Sequence, residues 1–465
     1  MKLTKIAVLF AAVGLSASAF ATDGYFAHGY GMTAKGMGGT ATAMAKDAFG
    51  GANNPASMVW VGDRLDVGID LFSPKRSAER SGSFAGTPFA GMIDGSAQSE
   101  SNLFYVPEFG YNKMLGWDMS AGVSVYGNGG MNTNYQGGQI RGGAGTVCDG
   151  FNPGYASYNL LCGTGNLGMN LVQLIVAPTF SMKLNKNNSV GVSLLVGYQK
   201  FAAQGLDGFY GFTPAPFVPL ASNNNLTNRG YDDSHGYGLR LGWMGNVSDA
   251  VTLGASYTSK MKMSKFDKYK DLFAGQGAFD MPESFNLGIA FKATPQLTVA
   301  ADYQRINYSG VASVANPSTN NSAWPGSAVP PTPPGTVASL GCDTCRGFGW
   351  SSVNVFKLGV EYQYSPNLAL RAGYNRTDNP IQGRDVTFNI IAPGIIEDHY
   401  TLGFTYNLTK DSELTMAYMH AKENSVTASS LFNNWVQFGG VGMAGNETIK
   451  MYQNSLGIAY GLKFR

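Results

Sequence analysis

From about residue 63 onward the chain repeats one pattern. Large apolar residues fall on one parity, and small or polar residues fall on the other. The last segment sets Leu456, Ile458, Tyr460, Leu462 and Phe464 against Gly457, Ala459, Gly461 and Lys463. A period of two marks a strand with two unlike faces. Leu65, Val67, Ile69 and Leu71 alternate with Asp66, Gly68 and Asp70 in the same way. So do Tyr237 to Trp243, Phe285 to Phe291, Phe356 to Tyr362 and Tyr400 to Tyr406. Fourteen such segments begin near residues 63, 102, 117, 169, 188, 232, 250, 281, 296, 350, 366, 397, 411 and 449. No helical period competes with them.

The connections alternate in length. Short turns occur at Leu115-Gly116-Trp117, Asn185 to Asn188, Gly245 to Ser248, Ala293 to Gln296, Ser365-Pro366-Asn367 and Thr409-Lys410-Asp411. Between them lie long connections at roughly 75–100, 129–167, 204–229, 265–280, 310–348, 377–395 and 424–447. Short on one side and long on the other is the bacterial outer-membrane arrangement, with turns periplasmic and loops extracellular. An even strand count returns both chain ends to the periplasm. The expected fold is all-β, a 14-stranded antiparallel transmembrane β-barrel. The rival is a soluble secreted β protein, whose outward faces would be polar rather than greasy.

Composition sharpens this picture. Only 13% of the 465 residues are charged, against about 25% in ordinary soluble domains. Lys and Arg number 32 and Asp and Glu 30, so there is no basic surplus for nucleic acid. The aromatic content and low charge also exclude a disordered chain. The N-terminus supplies the address. Lys2 and Lys5 precede the apolar stretch Ile6 to Leu15, and Ala19-Phe20-Ala21 closes it. Residues 1–21 therefore read as a secretory signal peptide, with the mature chain starting at Thr22. Beyond it no apolar run reaches the ~18 residues of a spanning helix. A closed barrel is the remaining way to span a membrane, because every backbone group must find a partner inside lipid.

Residues 22–60 break the strand pattern. Small residues dominate, with glycines at 24, 29, 31, 36, 38, 39, 50 and 51. A 14-stranded lumen is too wide for side chains alone to fill. A compact N-terminal hatch folded into it would close it, leaving 61–465 as the barrel. The alternative is a flexible periplasmic tail. Here the chain resembles a known family. The residues that carry the likeness are Asp47, Asn54-Pro55-Ala56 after the Gly/Ala-rich start, and Val106-Pro107 in the second strand. Gly127-Asn128-Gly129-Gly130 at the end of the third strand and Asp378-Asn379-Pro380-Ile381 complete them. Together they resemble the FadL-type long-chain fatty acid transporters (OmpP1/FadL/TodX), which include channels for aromatic hydrocarbons. The resemblance covers the whole mature chain. It implies an outer-membrane barrel with an N-terminal hatch, which collects hydrophobic substrates on extracellular loops. Release would be sideways into the membrane through a kink in the third strand, where Gly127, Gly129 and Gly130 fall. Glycines suit such a bulge; the plain alternative is an ordinary loop start. Barrels of this type commonly finish on an aromatic residue, whereas here Arg465 follows Phe464.

The long connections hold the candidate binding residues. Phe209, Phe212 and Phe217 lie among prolines in one, and Phe273 lies in the next, with Phe266, Tyr269, Leu272 and Phe279. Loops this apolar mark capture of a hydrophobic ligand or packing of loop on loop. Lys260, Lys262, Lys265, Lys268 and Lys270 follow as a cluster. They suit fatty acid carboxylates, lipopolysaccharide phosphates or plain solvation. Strand parity is read as pointing Lys200, Arg240, Lys357, Arg371 and His399 inward, where a cation could meet a substrate carboxylate. Pairing with inward acids such as Glu361 and Asp302 is the alternative.

Export favours disulfides. Sequence proximity favours Cys148–Cys162 and Cys342–Cys345, one of three possible pairings. No metal site and no cofactor is expected. Four histidines without an H-E-x-x-H motif, and no G-x-S-x-G elbow, speak against an enzyme. The expected function is passive uptake of hydrophobic compounds, long-chain fatty acids first, by a monomer. Its partners would be the cargo, outer-membrane lipid and lipopolysaccharide, and the barrel assembly machinery. Neutral aromatic or aliphatic hydrocarbons are the alternative cargo. A hydrophilic porin and an outer-membrane hydrolase are the remaining rivals.

Overall fold

The computed structural model describes residues 22–150, 152–212, 225–320, 340–434 and 443–464. The proposed signal peptide at 1–21 and Phe217 lie outside them, as does the side chain of Phe212. Fourteen long strands follow the alternation. They are β1 Arg64–Ser81, β2 Phe104–Met114, β3 Met119–Tyr135, β4 Leu167–Lys183, β5 Asn188–Gln204, β6 Asp232–Asn246 and β7 Val251–Thr258. The second half comprises β8 Ser284–Lys292, β9 Leu297–Ile306, β10 Val353–Ser365, β11 Leu368–Thr377, β12 Asp398–Asn407, β13 Ser412–Ser429 and β14 Asn446–Lys463. Each pairs antiparallel with its neighbours in sequence, and β14 returns to β1 from Arg64↔Lys463 to Ser81↔Asn446. The sheet thus closes, which leaves no edge to be satisfied by lipid. Among the described residues no helix is long and apolar enough to cross a membrane, which says nothing about crossing by strands.

Large apolar side chains line the outside. Val67, Ile69 and Leu71 are exposed on β1, Tyr237, Leu239 and Leu241 on β6, and Phe285, Leu287, Ile289 and Phe291 on β8. In water such rows would be an aggregation hazard; against acyl chains they are the solvated face. The inner rows are small and polar because residues 22–62 pack against them. The close approach demands glycine on the wall. A Cβ on Gly254 would sit 2.0 Å from the Thr42 carbonyl oxygen, and one on Gly373 2.1 Å from the Gly38 nitrogen. The glycine rows are therefore the imprint of the N-terminal segment on the barrel.

Candidate functional site

The inner wall and the N-terminal segment meet through buried polar contacts. Asn54 caps the short 3-10 helix Pro55–Trp60 by accepting from Ala56 N, at 3.1 Å. Its Nδ2 donates to the Thr42 and Trp243 carbonyls at 2.7 and 2.9 Å. Pro55 and Ala56 then lie on Gly191, where any Cβ would collide with them. The Asn-Pro-Ala motif is thus a seat on β5 and β6. Asn54→Ala removes the cap and strands two carbonyls, an expected cost of about 2–4 kcal/mol in docking this turn. Faster hydrogen exchange at residues 54–60 would show it; unchanged exchange would refute it.

The inward cations are engaged by the same segment. Arg240 donates to the Gly51 carbonyl and to Thr258, at 2.7 Å each. Lys357 donates to the His28 carbonyl at 3.0 Å and faces Asp23 at 3.9 Å. Arg371 pairs with Glu361 at 2.8 Å, and Glu361 also takes Lys46 at 2.6 Å. His399 stacks on His28 with ring centroids 5.9 Å apart. Asp302 accepts from the Ala41 and Thr42 amides. These groups hold the segment in the lumen, so the pairing alternative describes them better than a substrate site does.

Lys200 does not belong with them, and the parity expectation for it is corrected. Ser193, Leu195, Gly197, Gln199 and Phe201 are the buried row of β5, whereas Val192, Leu194, Val196, Tyr198 and Lys200 form the outer row. Its ammonium lies 4.7 Å from the Tyr231 ring centroid. Charge suggested the lumen, but a lysine at a strand end also reaches the headgroup zone by extending its stem.

The third strand carries the expected irregularity. Gly127 faces Leu174 and Gly129 faces Gln173, so Asn128 is an extra, bulged residue. β2 and β3 pair only from Phe109↔Val125 to Met114↔Ser120. Beyond the bulge β3 stays with β4, β2 stays with β1, and the wall between them parts. A bridge between Ser99 and Tyr135 closes the far end of the gap. The β3 residues from Tyr126 to Thr133 are buried at every position, on both parities, so this part of the strand has swung inward. The N-terminal segment fills the bend: Gly130 N donates to the Tyr25 carbonyl at 3.1 Å and Ala27 N to that of Asn128 at 3.2 Å. A Cβ on Gly129 would lie 1.8 Å from the Tyr25 oxygen, so the glycine is required there.

Above this window the external connections fold over the lumen. Phe266, Tyr269 and Phe279, expected at an exposed capture face, are fully buried. Phe209 and Phe273, also buried, line a tight apolar cavity of about 30 Å³. Leu161, Leu340, Phe348, Phe388 and Ile391 also contribute to it, from three further connections. Disulfides Cys148–Cys162 and Cys342–Cys345 close two of these connections beside the cavity. Among the described residues, the one basic side chain on the lining is Arg346, which sequence reading missed. It is 4% exposed and donates to the Ser318 carbonyl at 2.7 Å. Burial pulls its guanidinium down to about 10, so it remains protonated at neutral pH.

Aromatic rings join cavity and window. Phe273 contacts Phe279 at 4.9 Å between centroids, and Phe279 lies 6.1 Å from Tyr25. Tyr25 is packed by Phe26, Tyr308 and Trp350. The Tyr308 hydroxyl accepts from Tyr25 N and donates to the Asp23 carbonyl. The arrangement offers a greasy cavity, an aromatic barrier and a parted wall, in that order. Among the described residues no group of acidic, His or Cys side chains is arranged to hold a metal ion.

Comparison with known proteins agrees with this geometry. The toluene transporter TodX of P. putida superposes with a TM-score of 0.64 at 19% identity, over 94% of this chain and 99% of that one. A Pseudomonas aeruginosa FadL homologue gives 0.63 at 14%, over 95% and 100%. The Ralstonia pickettii toluene transporter TbuX gives 0.59 at 17%, over 94% and 99%. These likenesses establish a shared fold. No curated protein matches the chain. The family model described as outer membrane protein transport protein (OMPP1/FadL/TodX) matches residues 159–462, and the chain belongs to that family of outer-membrane transport barrels.

Proposed function

We propose that the chain takes up hydrophobic compounds bearing a carboxylate, long-chain fatty acids foremost, and releases them sideways through the parted wall. The observation that carries this reading is Arg346, a buried guanidinium on a lining that, among the described residues, is otherwise apolar but for Ser313. A desolvated cation favours an anionic head, and a guanidinium can clamp a carboxylate with two bonds. The cargo would enter among the external connections, part the packed Phe209 and Phe273 to reach Arg346, and push Tyr25 and Phe26 aside. The N-terminal segment acts as the hatch in this scheme. Exit follows partition into lipid, worth about 0.8 kcal/mol per methylene buried. No bond is broken and no cofactor takes part.

A second reading is neutral aromatic cargo. The described lining apart from Arg346 and Ser313 is apolar and aromatic, and two of the solved relatives are named toluene transporters. Uptake of labelled oleate and toluene by a host lacking its own transporters separates the two. Arg346→Met should lower oleate uptake at limiting concentration about ten- to hundredfold, the loss of one charged hydrogen-bonding partner. Arg346→Lys should restore part of it, and toluene uptake should not change. Toluene uptake with no response of oleate to Arg346 would favour the neutral-cargo reading. Sugar permeation with neither hydrophobe taken up would favour a porin.

A further inference from the structure

Lys200 joins a second feature of the outer surface. The connection after β7 adds a two-residue strand to the edge of β6, with Lys262 paired to Tyr237 and Met263 to Gly236. Met263 is buried and Lys262 exposed, so Lys262 stands on the same outward face as Tyr237, itself 62% exposed. Farther from the membrane Lys268 donates to the Tyr231 carbonyl, and Lys200 lies over the Tyr231 ring. Lys265, Lys270 and Arg229 are exposed beside them. Leu239, Leu241 and Leu194 extend the exposed apolar face below. One sector of the rim therefore carries a cationic ledge directly above a lipid-facing wall.

The neighbouring carboxylates offset the ledge only in part: Lys200, Arg229, Lys260, Lys262, Lys265, Lys268 and Lys270 stand against Asp232, Asp233, Asp267, Asp271 and Asp280, with Asp233 paired opposite Lys200. Asp232 accepts from Lys268 N, Asp233 from the Tyr198 hydroxyl, and Asp271 from Asn225 N. Asp280 takes Met263 N and faces Lys260 at 3.8 Å. Among the described residues, Lys262, Lys265 and Lys270 have no carboxylate within 4.0 Å. The connection between β1 and β2 differs: residues 82–103 hold no Lys or Arg, but they hold Asp94 and Glu100. A basic sector confined to the loop side of an outer-membrane barrel meets the outer leaflet, where the anionic groups are phosphates carried on acylated sugars.

We infer that Lys262, Lys265, Lys268 and Lys270, with Lys200 and Arg229, form a docking site for a phosphorylated glycolipid. Its acyl chains lie on Leu194, Leu239 and Leu241, and its phosphates on the lysines. Lysine suits this ligand because it is a flexible point charge that several phosphate positions can share. The binding is electrostatic at the rim, so it weakens with salt, and apolar below it, so it does not vanish. This site lies outside the barrel and is independent of the cavity and its cargo.

The test is native mass spectrometry of the full-length mature barrel in detergent with bis-phosphorylated lipid A. Wild-type protein should retain the lipid. The Lys262→Gln, Lys265→Gln, Lys268→Gln, Lys270→Gln variant should bind it at least about tenfold more weakly at low salt. Removing the phosphates from the lipid should weaken wild-type binding equally and leave the variant unchanged. Lys75→Gln with Lys450→Gln, outward lysines on β1 and β14, should have no effect. Equal retention by the quadruple variant, or equal retention of the dephosphorylated lipid, would overturn the inference. So would displacement of lipid A by oleate, since the ledge would then be a capture surface for carboxylates.

Discussion

Deletion of Asn128 is expected to reduce uptake to the background of cells lacking the protein, with the barrel still folded. Asn128 is the residue by which β3 exceeds its partner. Without it Gly127 and Gly129 become consecutive and still face Leu174 and Gln173, so no side chain changes face. The cause of the bend is gone, because a bulge kinks a strand by that one unpaired residue. A straight β3 would continue pairing with β2 above Phe109, and the wall would close. Asn128→Ala keeps the bulge. It removes the side-chain bond to Gln173 at 2.9 Å and the one Oδ1 accepts from Tyr30 at 3.2 Å, while the backbone carbonyl keeps its own bond from Tyr30, so uptake should fall less. Heat-modified mobility on a gel reports folding, and labelled hydrophobe uptake reports the window. Wild-type uptake by a folded deletion variant would rule out sideways release at this place.

The barrel was legible because a membrane demands a strict two-residue alternation, and each of the fourteen expected segments contains a strand. The bulge was expected from the family resemblance, which the glycines at 127, 129 and 130 suited without excluding an ordinary loop start. Side-chain destinations were harder. In β5 the inner row contains Leu195 and Phe201 and the outer row includes Lys200. Hydrophobicity alone misassigns a strand whose buried row is itself apolar. Arg346 had no periodicity to mark it. A hint did exist in the connection after β11, where Ile381, Val386, Ile390, Ile391, Ile395 and Ile396 crowd together. All six are buried. So apolar a stretch in an external connection is a sign that the loop folds inward over the lumen. Thr133 and Tyr135 confirm the direction by donating to the Ile391 and Ile390 carbonyls. The aromatic loops after β5 and β7 follow the same logic: they were greasy because they form an interior.

Lys35→Met is expected to loosen the N-terminal segment more than any other single change there. Lys35 is 4% exposed and sits 2.7 Å from Asp70 and 4.0 Å from Glu108. Glu108 also accepts from Gly31 N at 3.3 Å. Removing the ammonium leaves two carboxylates buried together, which typically costs about 3–5 kcal/mol. The barrel strands lose nothing by this, so the penalty falls on the docking of residues 30–50. Hydrogen exchange in that segment should accelerate by about two to three orders of magnitude, while exchange in β12 to β14 stays as in wild type. Replacing all three groups, with Lys35→Met, Asp70→Leu and Glu108→Leu, should recover most of the protection, because an apolar trio needs no compensating charge. Full protection in Lys35→Met alone would mean that the pair with Asp70 contributes nothing to holding the segment. The hold would then rest on Arg240, Lys357 and the Glu361 cluster. The window depends on which is true. Tyr25 and Phe26 block it from one end of the same segment, and a segment clamped at Lys35 can yield there only by bending at Gly29 and Gly31.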